Sequence, residues 1–427
     1  MVTLLHLADA RLSGRLYVAG EALLKRARAA ERTALRRAVD CALHEKVDAV
    51  LVAGGFFDER FLDYDTEQFL TQQLARLDDA GIACCYATGR PDPGGARFRG
   101  ADVRWPASVH RFAAPAPEAV TLRSDEGEPI AHVVGAGYVG PETDAPRRAA
   151  FPRPRADVPH VGLLPAPLSE GTPEEDAPGA EEPSRRALRR TLTNAGYAYW
   201  ALGGASRGPL VEGGKEQAAA WYAGPTAGRG PAHAGPQGGL LVRIGAAGDE
   251  APHVSFRSFA PLRWTDLTLD ALDDADTQHA LLQRAQRAFR EATAADETAA
   301  DETAAGEEDA IARLARFTLT GGCPLASDLH TGDGRRRLKA ALEDHLDLEA
   351  AFVRLRHLTL PADPERHRGE PHVLSEALDL LDRAAADPAR LREWGPDVRA
   401  AGETDDDLRA LLDGLDREAC ARLLRDA

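Results

Sequence analysis

Apolar residues in the first part of the chain fall into short blocks that alternate between two spacings. "VTLLHL" (2–7) is almost wholly apolar, the pattern of a strand covered on both faces. Residues 20–47 instead place Leu35, Ala38, Val39, Ala42 and Leu43 on one helical face. "DAVLVAGG" (48–55) predicts a second strand ending in glycines, residues 66–80 a second helix, and "IACCYATG" (82–89) a third strand. Strand–helix–strand alternation predicts parallel pairing with helices on the sheet faces.

Shorter strand-like segments follow: "SVHRFA", "AVTLR", "IAHVVGAGYV", "PHVGLLP", "YAYWALGG", "GGLLVRI" and "PHVSFRSF". Together they predict a two-sheet α/β sandwich over roughly 1–258. Beyond "FAPLRWTDLTLD" (259–270), a helix over about 272–291, strands "ARFTLTGG" (315–322) and "AFVRLRHLTL" (351–360), and the helix "GRRRLKAALEDHL" (334–346) predict a small α+β unit over 259–361. Residues 362–427 read as a helical tail. Leu374, Ala377, Leu378 and Leu381 form one apolar stripe. Leu408, Leu411, Leu412, Leu415, Ala419 and Leu423 form another, preceded by Thr404 and Asp407 placed like a capping box. Such stripes pack on their own protein or dock a partner.

Composition changes the picture at a few points. The acidic, proline-rich stretch 169–184 reads as a solvated loop. The segment 292–309, with its repeated AADET, reads as an acidic insertion, either loop or helix extension. No apolar run approaches the roughly 20 residues that cross a membrane. The N-terminus lacks a basic stretch before its apolar run and reads as a first strand. Five cysteines without a CxxC pair suit a reducing cytoplasm, and the neighbours Cys84 and Cys85 are expected on opposite sheet faces. The formal net charge of -16 disfavours general nucleic-acid affinity. Only four lysines are present, so arginine carries nearly all positive charge, with clusters at 185–190 and 335–339. No Gx₄GK[ST] or GxSxG motif occurs; "GGKEQ" (213–217) has neither the spacing nor the hydroxyl of a P-loop.

The segments "LLHLADARLSG", "VDAVLVAGGFFDER", "YATGRPDP", "HVGLLPAPLSE" and "YAYWALGGASRG" occur in order, each at the end of an expected strand. Together with "YAGPTAGRGPAHAGPQGGLLVRI" (222–244), they resemble the motifs of bacterial DNA repair exonucleases of the SbcD/YhaO type, in the calcineurin-like metallophosphoesterase superfamily. The likeness extends through "PLRW" and "RFTLTGGCPL" to about residue 360. It implies a four-layer α/β/β/α sandwich. In active relatives it implies a manganese-dependent nuclease that works as a dimer beside an SMC-like coiled-coil ATPase.

The departures fall on the ligand positions of that family. Asp9 keeps the first carboxylate. Arg11 stands where a histidine is expected, Gly55 where the metal-bridging aspartate is, and Arg90-Pro91 where an Asn-His pair is. Pro165, Gly204 and Ser206 stand where three further histidines are. Asp58 and Asp92 match family aspartates with supporting roles. A divalent ion takes about six oxygen or nitrogen ligands, and Asp9, Asp58 and Asp92 supply three at best. Arg11 and Arg90 place two permanent cations near the expected metal positions, where they repel metal and can pair with Asp9 or Asp92. The expectation is therefore a centre without metal and a structural or regulatory subunit in DNA end processing. The alternative is an active manganese exonuclease or phosphodiesterase with a remodelled site. His6, His160 and His233 occupy no ligand position. Arg229, Arg335, Arg336 and Arg337 are candidates for contact with DNA. The expected partners are the ATPase, DNA and a second copy of the chain; no membrane is expected.

Overall fold

The computed structural model describes residues 1–95, 99–141, 150–154, 158–166, 181–213, 219–245, 251–300, 311–361, 368, 373–387, 412, 415–416 and 419–420. Contacts divide the chain into two units, 1–264 with 293–313, and 265–292 with 314–427.

In the first unit, β1 (Val2–Leu7), α1 (Glu21–Glu45), β2 (Ala49–Ala53), α2 (Tyr64–Asp79) and β3 (Ala83–Ala87) alternate as the periodicity predicts. The inward face of α1 is Ala27, Glu31, Ala34, Leu35, Ala38, Val39 and Ala42, a helical stripe with one carboxylate in it. The helix stops at Lys46, in left-handed conformation, whose N–H returns to the carbonyls of Ala42 and Leu43. α2 starts where the Asp63 side chain accepts the Thr66 N–H at 2.8 Å.

Seven strands and a helix follow: β4 (Val109–Phe112), β5 (Glu118–Arg123), β6 (Pro129–Gly135), β7 (His160–Pro165), α3 (Glu181–Asn194), β8 (Tyr199–Gly203), β9 (Gly208–Val211) and β10 (Ala219–Tyr222). β11 (Gly238–Ile244) and β12 (His253–Ser258) close the series. One sheet runs β12-β11-β1-β2-β3-β4, the other β5-β6-β7-β8-β10-β9. β1 to β4 are parallel, as are β6, β7, β8 and β10, while β11 runs antiparallel to β1.

Three apolar layers hold these elements. Leu4, Leu51, Cys85, Phe112, Val133, Leu163 and Tyr199 fill the space between the sheets. Leu35, Val39, Leu70, Leu74 and Cys84 pack α1 and α2 on the first sheet. Leu188, Leu192, Trp200 and Leu202 pack α3 on the second. The architecture is a four-layer α/β/β/α sandwich, and Cys84 and Cys85 face opposite layers as their alternation predicts.

The second unit holds most of β13 (Leu262–Leu269), α4 (Gln278–Ala300) and β14 (Ala312–Gly322), with α5 (Gly332–His345) and β15 (Ala350–Thr359); the three strands form a sheet of order β13-β14-β15. Leu272, Leu281, Phe289, Phe317, Leu338 and Leu342 share its core. α4 corrects the expected 272–291. Leu272 and Ala275 are buried at a helix-like spacing but belong to the preceding turn, and the Thr277 hydroxyl accepts the Ala280 N–H at 3.2 Å where the helix begins. At its other end the alanine-rich start of the acidic insertion continues the helix to Ala300. The rest of that insertion, and most of the acidic stretch 169–184, lie outside the described residues. A further helix, α6 (Val373–Ala386), buries Leu374 and Leu378 with Cys420. Of the Leu408–Leu423 stripe, Leu412, Leu415 and Ala419 are described; Leu408, Leu411 and Leu423 lie outside the described residues. Among those that are described, no helix is long and apolar enough to cross a membrane.

Candidate functional site

The loops after β1, β2, β3, β7 and β8 converge at one end of the sandwich. The loop after β1 runs alongside the loop after β2: the Asp9 N–H donates to Gly54 O at 2.9 Å, Arg11 N–H to Gly55 O at 2.7 Å, and Asp58 N–H to Leu12 O at 3.1 Å. Asp9, Arg11 and Ser13 all take positive φ, at 47°, 41° and 64°. Three non-glycine residues in left-handed conformation within five positions are strained backbone, kept in place by these cross-loop bonds.

A cleft of about 310 Å³ opens over this floor, lined by Asp9, Arg11, Gly54, Gly55, Glu59, Arg60, Gly89, Arg90, Pro91, Pro165 and Gly204. A second lobe of about 410 Å³ shares Asp9, Arg11 and Gly204 and adds Arg185, Ser206, Arg207, Arg229 and His233. The motif positions singled out from the sequence are therefore neighbours in space; Asp58 and Asp92 do not line the cleft but bond to its loops. Arg335, Arg336 and Arg337 lie on α5 in the second unit; Arg336 pairs with Asp333, and Arg337 with Asp328 at 2.7 Å.

Each carboxylate at the centre is already engaged. Asp9 Oδ1 accepts from Arg11 Nε at 3.1 Å, and its Oδ2 accepts the Gly204 N–H at 2.9 Å. The Arg229 guanidinium donates through Nη1 to the Asp9 carbonyl at 2.9 Å. Asp58 is clamped by Arg60, with Nε to Oδ1 at 2.9 Å and Nη2 to Oδ2 at 2.7 Å. Burial would raise Asp58, but its hydrogen bonds to Arg60 and that residue's charge outweigh burial and hold the carboxyl below its ordinary value.

Asp92 is fully buried beneath the loops. Its side chain accepts the N–H groups of Gly55 (2.9 Å), Phe56 (2.7 Å) and Gly89 (2.8 Å) and the Tyr86 hydroxyl (2.5 Å). It is a staple between the β2 and β3 loops, with burial pushing its carboxyl upward against those four bonds. The expected choice of arginine partners is thus resolved as Arg11 with Asp9; Asp92 pairs with backbone and tyrosine instead.

Gly55 has φ of +65°, and a Cβ built on it would stand 2.7 Å from Asp9 Oδ1 and 3.0 Å from Asp9 Cα. The volume a side chain would need there is taken by the Asp9 carboxylate. A pair of divalent ions about 3.5–4 Å apart requires a bridging carboxylate and several imidazole or oxygen donors. The cleft offers the carboxylates of Asp9 and Glu59 against the guanidinium groups of Arg11, Arg60 and Arg90. His6 lies below the cleft, fully buried. Its Nε2 donates to Leu202 O at 3.1 Å, so Nδ1 accepts from the Tyr199 hydroxyl at 2.9 Å, and burial lowers its pKa to about 3. His233, lowered to about 4 by burial and then by the charges of Arg229 and Arg11, accepts the Arg229 backbone N–H at 3.3 Å through Nδ1. The donor set does not fit a two-ion centre. His160 sits apart at the start of β7, its ring against His132 and Tyr197.

Sequence reasoning did not single out Glu31, Glu59, Arg60, Tyr86 or Arg207, and noted Arg185 only as part of the arginine cluster 185–190. Arg60 stands two places after Asp58 in "FFDER", the one local signal that was available. Glu31 is 4% exposed; its Oε2 accepts from Arg28 at 2.9 Å, and its Oε1 has no hydrogen-bond partner. Burial raises its pKa to about 7, opposed by Arg28, Arg229 and Arg32. A carboxyl raised on folding stabilises most below its ordinary value of about 4.5 and loses that contribution as pH climbs to about 7, here by roughly 3 kcal/mol. We expect Glu31→Gln to flatten the decline in melting temperature between pH 5 and pH 8. A variant that keeps the parental slope would exclude Glu31 as its source.

No known family profile matches the sequence. The chain is 28% identical over 294 residues to the uncharacterized metallophosphoesterase YhaO of Bacillus subtilis (strain 168), covering 67% of each protein. Solved structures that align with it include a dimetal phosphatase from Danio rerio, at 12% identity, TM-score 0.34, and 59% of this chain against 98% of that one. Another is TT1561 of Thermus thermophilus, at 11% identity, TM-score 0.33, and 60% against 98%.

Proposed function

We propose that this chain, a homologue of the metallophosphoesterases, is a non-hydrolytic member of that group, with the metal pair replaced by arginine–carboxylate pairs. The observation that carries the reading is the state of Asp9. Its two oxygens are held by Arg11 and the Gly204 N–H, and its carboxylate fills the space where a bridging carboxylate from position 55 would enter. Arginine keeps its charge at any working pH, so Arg11 and Arg90 oppose a cation in the cleft throughout the physiological range. The retained sandwich and the closed loop network support a binding or regulatory role for the same surface. The resemblance of the five motifs to the SbcD/YhaO nucleases supports DNA end processing as the setting, with an SMC-like ATPase and a second copy of the chain as partners.

An assay on single- and double-stranded DNA and on a chromogenic phosphodiester, with manganese in excess, tests the reading. The expected outcome is no turnover above that of an Asp9→Ala variant. Manganese-dependent cleavage that Asp9→Ala abolishes would establish the alternative, an active exonuclease with a remodelled site.

A further inference from the structure

We propose that the second lobe of the cleft binds a phosphoryl group directly, without metal, through Arg11, Arg185, Arg207 and Arg229. This rests on the reading that the centre carries no metal pair. Four guanidinium groups line one lobe of about 410 Å³ in a chain whose formal net charge is -16. One carboxylate, that of Asp9, lines the lobe with them, and it is already bonded to Arg11. Among the described residues no carboxylate forms an ion pair with Arg185 or Arg229.

Arg229 is only 8% exposed, and its guanidinium makes one hydrogen bond, to a neutral carbonyl. Burial lowers the Arg229 pKa to about 10; Arg11 adds to that, and the charges of Asp9, Glu31 and Asp58 only partly oppose it. Burying a cation with no directly bonded counter-charge is costly, and collecting like charges around it adds to the cost. An anion in the lobe offsets both. Guanidinium groups match the paired oxygens of a phosphate, and several converging on one point give a dianion charge-assisted hydrogen bonds from more than one side. The Arg207 guanidinium is steadied by stacking 3.6 Å over the Phe256 ring and by donating to Pro236 O at 3.1 Å. Part of the ordering cost of binding is met in advance. His233, held neutral beside Arg229, adds no charge of either sign to the lobe.

The phosphoryl group can come from a small phosphate ester or from the 5′ end of a DNA strand, and the titration separates the two. Inorganic phosphate, adenosine monophosphate and a short oligonucleotide with or without a 5′-phosphate are titrated calorimetrically into the full chain in EDTA. The same titrations use Arg185→Gln and Arg207→Gln, both on residues accessible enough to spare the fold. Inorganic phosphate should bind, and each substitution should weaken it about 10-fold. Preference for the 5′-phosphorylated oligonucleotide over its hydroxyl form assigns a DNA end; equal affinity for the two, with tighter binding of the mononucleotide, assigns a small ester. Absence of phosphate binding, or affinity unchanged in both variants, overturns the site while leaving the non-hydrolytic reading intact. The titrations are repeated with manganese in place of EDTA; binding that appears only then, accompanied by turnover, overturns both.

Discussion

Asp92→Ala is expected to remove roughly 4 kcal/mol or more of folding stability, the largest effect of any single substitution around the cleft. The side chain is fully buried and receives four donors: three backbone N–H groups from the β2 and β3 loops and the Tyr86 hydroxyl. Alanine leaves all four buried without an acceptor, at about 1–3 kcal/mol each, offset in part by no longer burying a carboxylate. Against a total stability of order 5–15 kcal/mol, that approaches the threshold of folding. The first unfolding midpoint should fall by about 8 °C or more, or the variant should fail to accumulate in soluble form. Asp92→Asn, which keeps the shape and one acceptor oxygen, should lie between. A midpoint for Asp92→Ala within about 2 °C of the parent would show that the loops are held by something else.

Gly55→Asp, the substitution that would rebuild the bridging carboxylate, is expected to destabilise the protein by about 2–3 kcal/mol and to restore nothing. Position 55 has φ of +65°, and the new Cβ meets Asp9 Oδ1 at 2.7 Å. An aspartate in the left-handed region costs on the order of 1 kcal/mol, and displacing Asp9 breaks its bonds to Arg11 and Gly204. The second carboxylate then stands beside the first with no ion between them. Manganese should not recover the melting temperature, because Pro165, Gly204 and Ser206 still supply no imidazole and Arg11 and Arg90 still oppose a cation. A rise above the parent that depends on manganese would mean that the loss at Gly55 alone emptied the centre.

The fold was legible in the sequence to the extent that periodicity reports it. β1, α1, β2, α2 and β3 appear where alternating blocks of apolar residues place them, and the opposed faces of Cys84 and Cys85 follow from strand geometry. Element ends were less legible. Leu272 and Ala275 imitate a helical stripe while packing as a turn, and nothing in "AADET" marks where an alanine-rich helix stops. The five motif loops could be read as one centre because each follows a strand. The pairing inside it could not. Asp9 meets Gly204 and Arg229 across about two hundred residues of chain, and only the folded sandwich decides that Arg11 takes Asp9 while Asp92 takes Tyr86 and backbone. The convergence of Arg185, Arg207 and Arg229 on one lobe is equally non-local.

Seen this way, the glycines of "VAGGFFDER" are more than a turn after a strand. Gly55 gives its N–H to Asp92 and its side-chain space to Asp9, so a residue with no side chain helps to hold both aspartates.

Metal content is the most direct test of this account. The purified chain is equilibrated with excess manganese, freed of unbound ion by gel filtration and analysed by mass spectrometry, alongside Asp9→Ala. The account predicts fewer than about 0.2 manganese ions per chain, with no difference between the two proteins. A stoichiometric pair of ions, lost in Asp9→Ala, would contradict it.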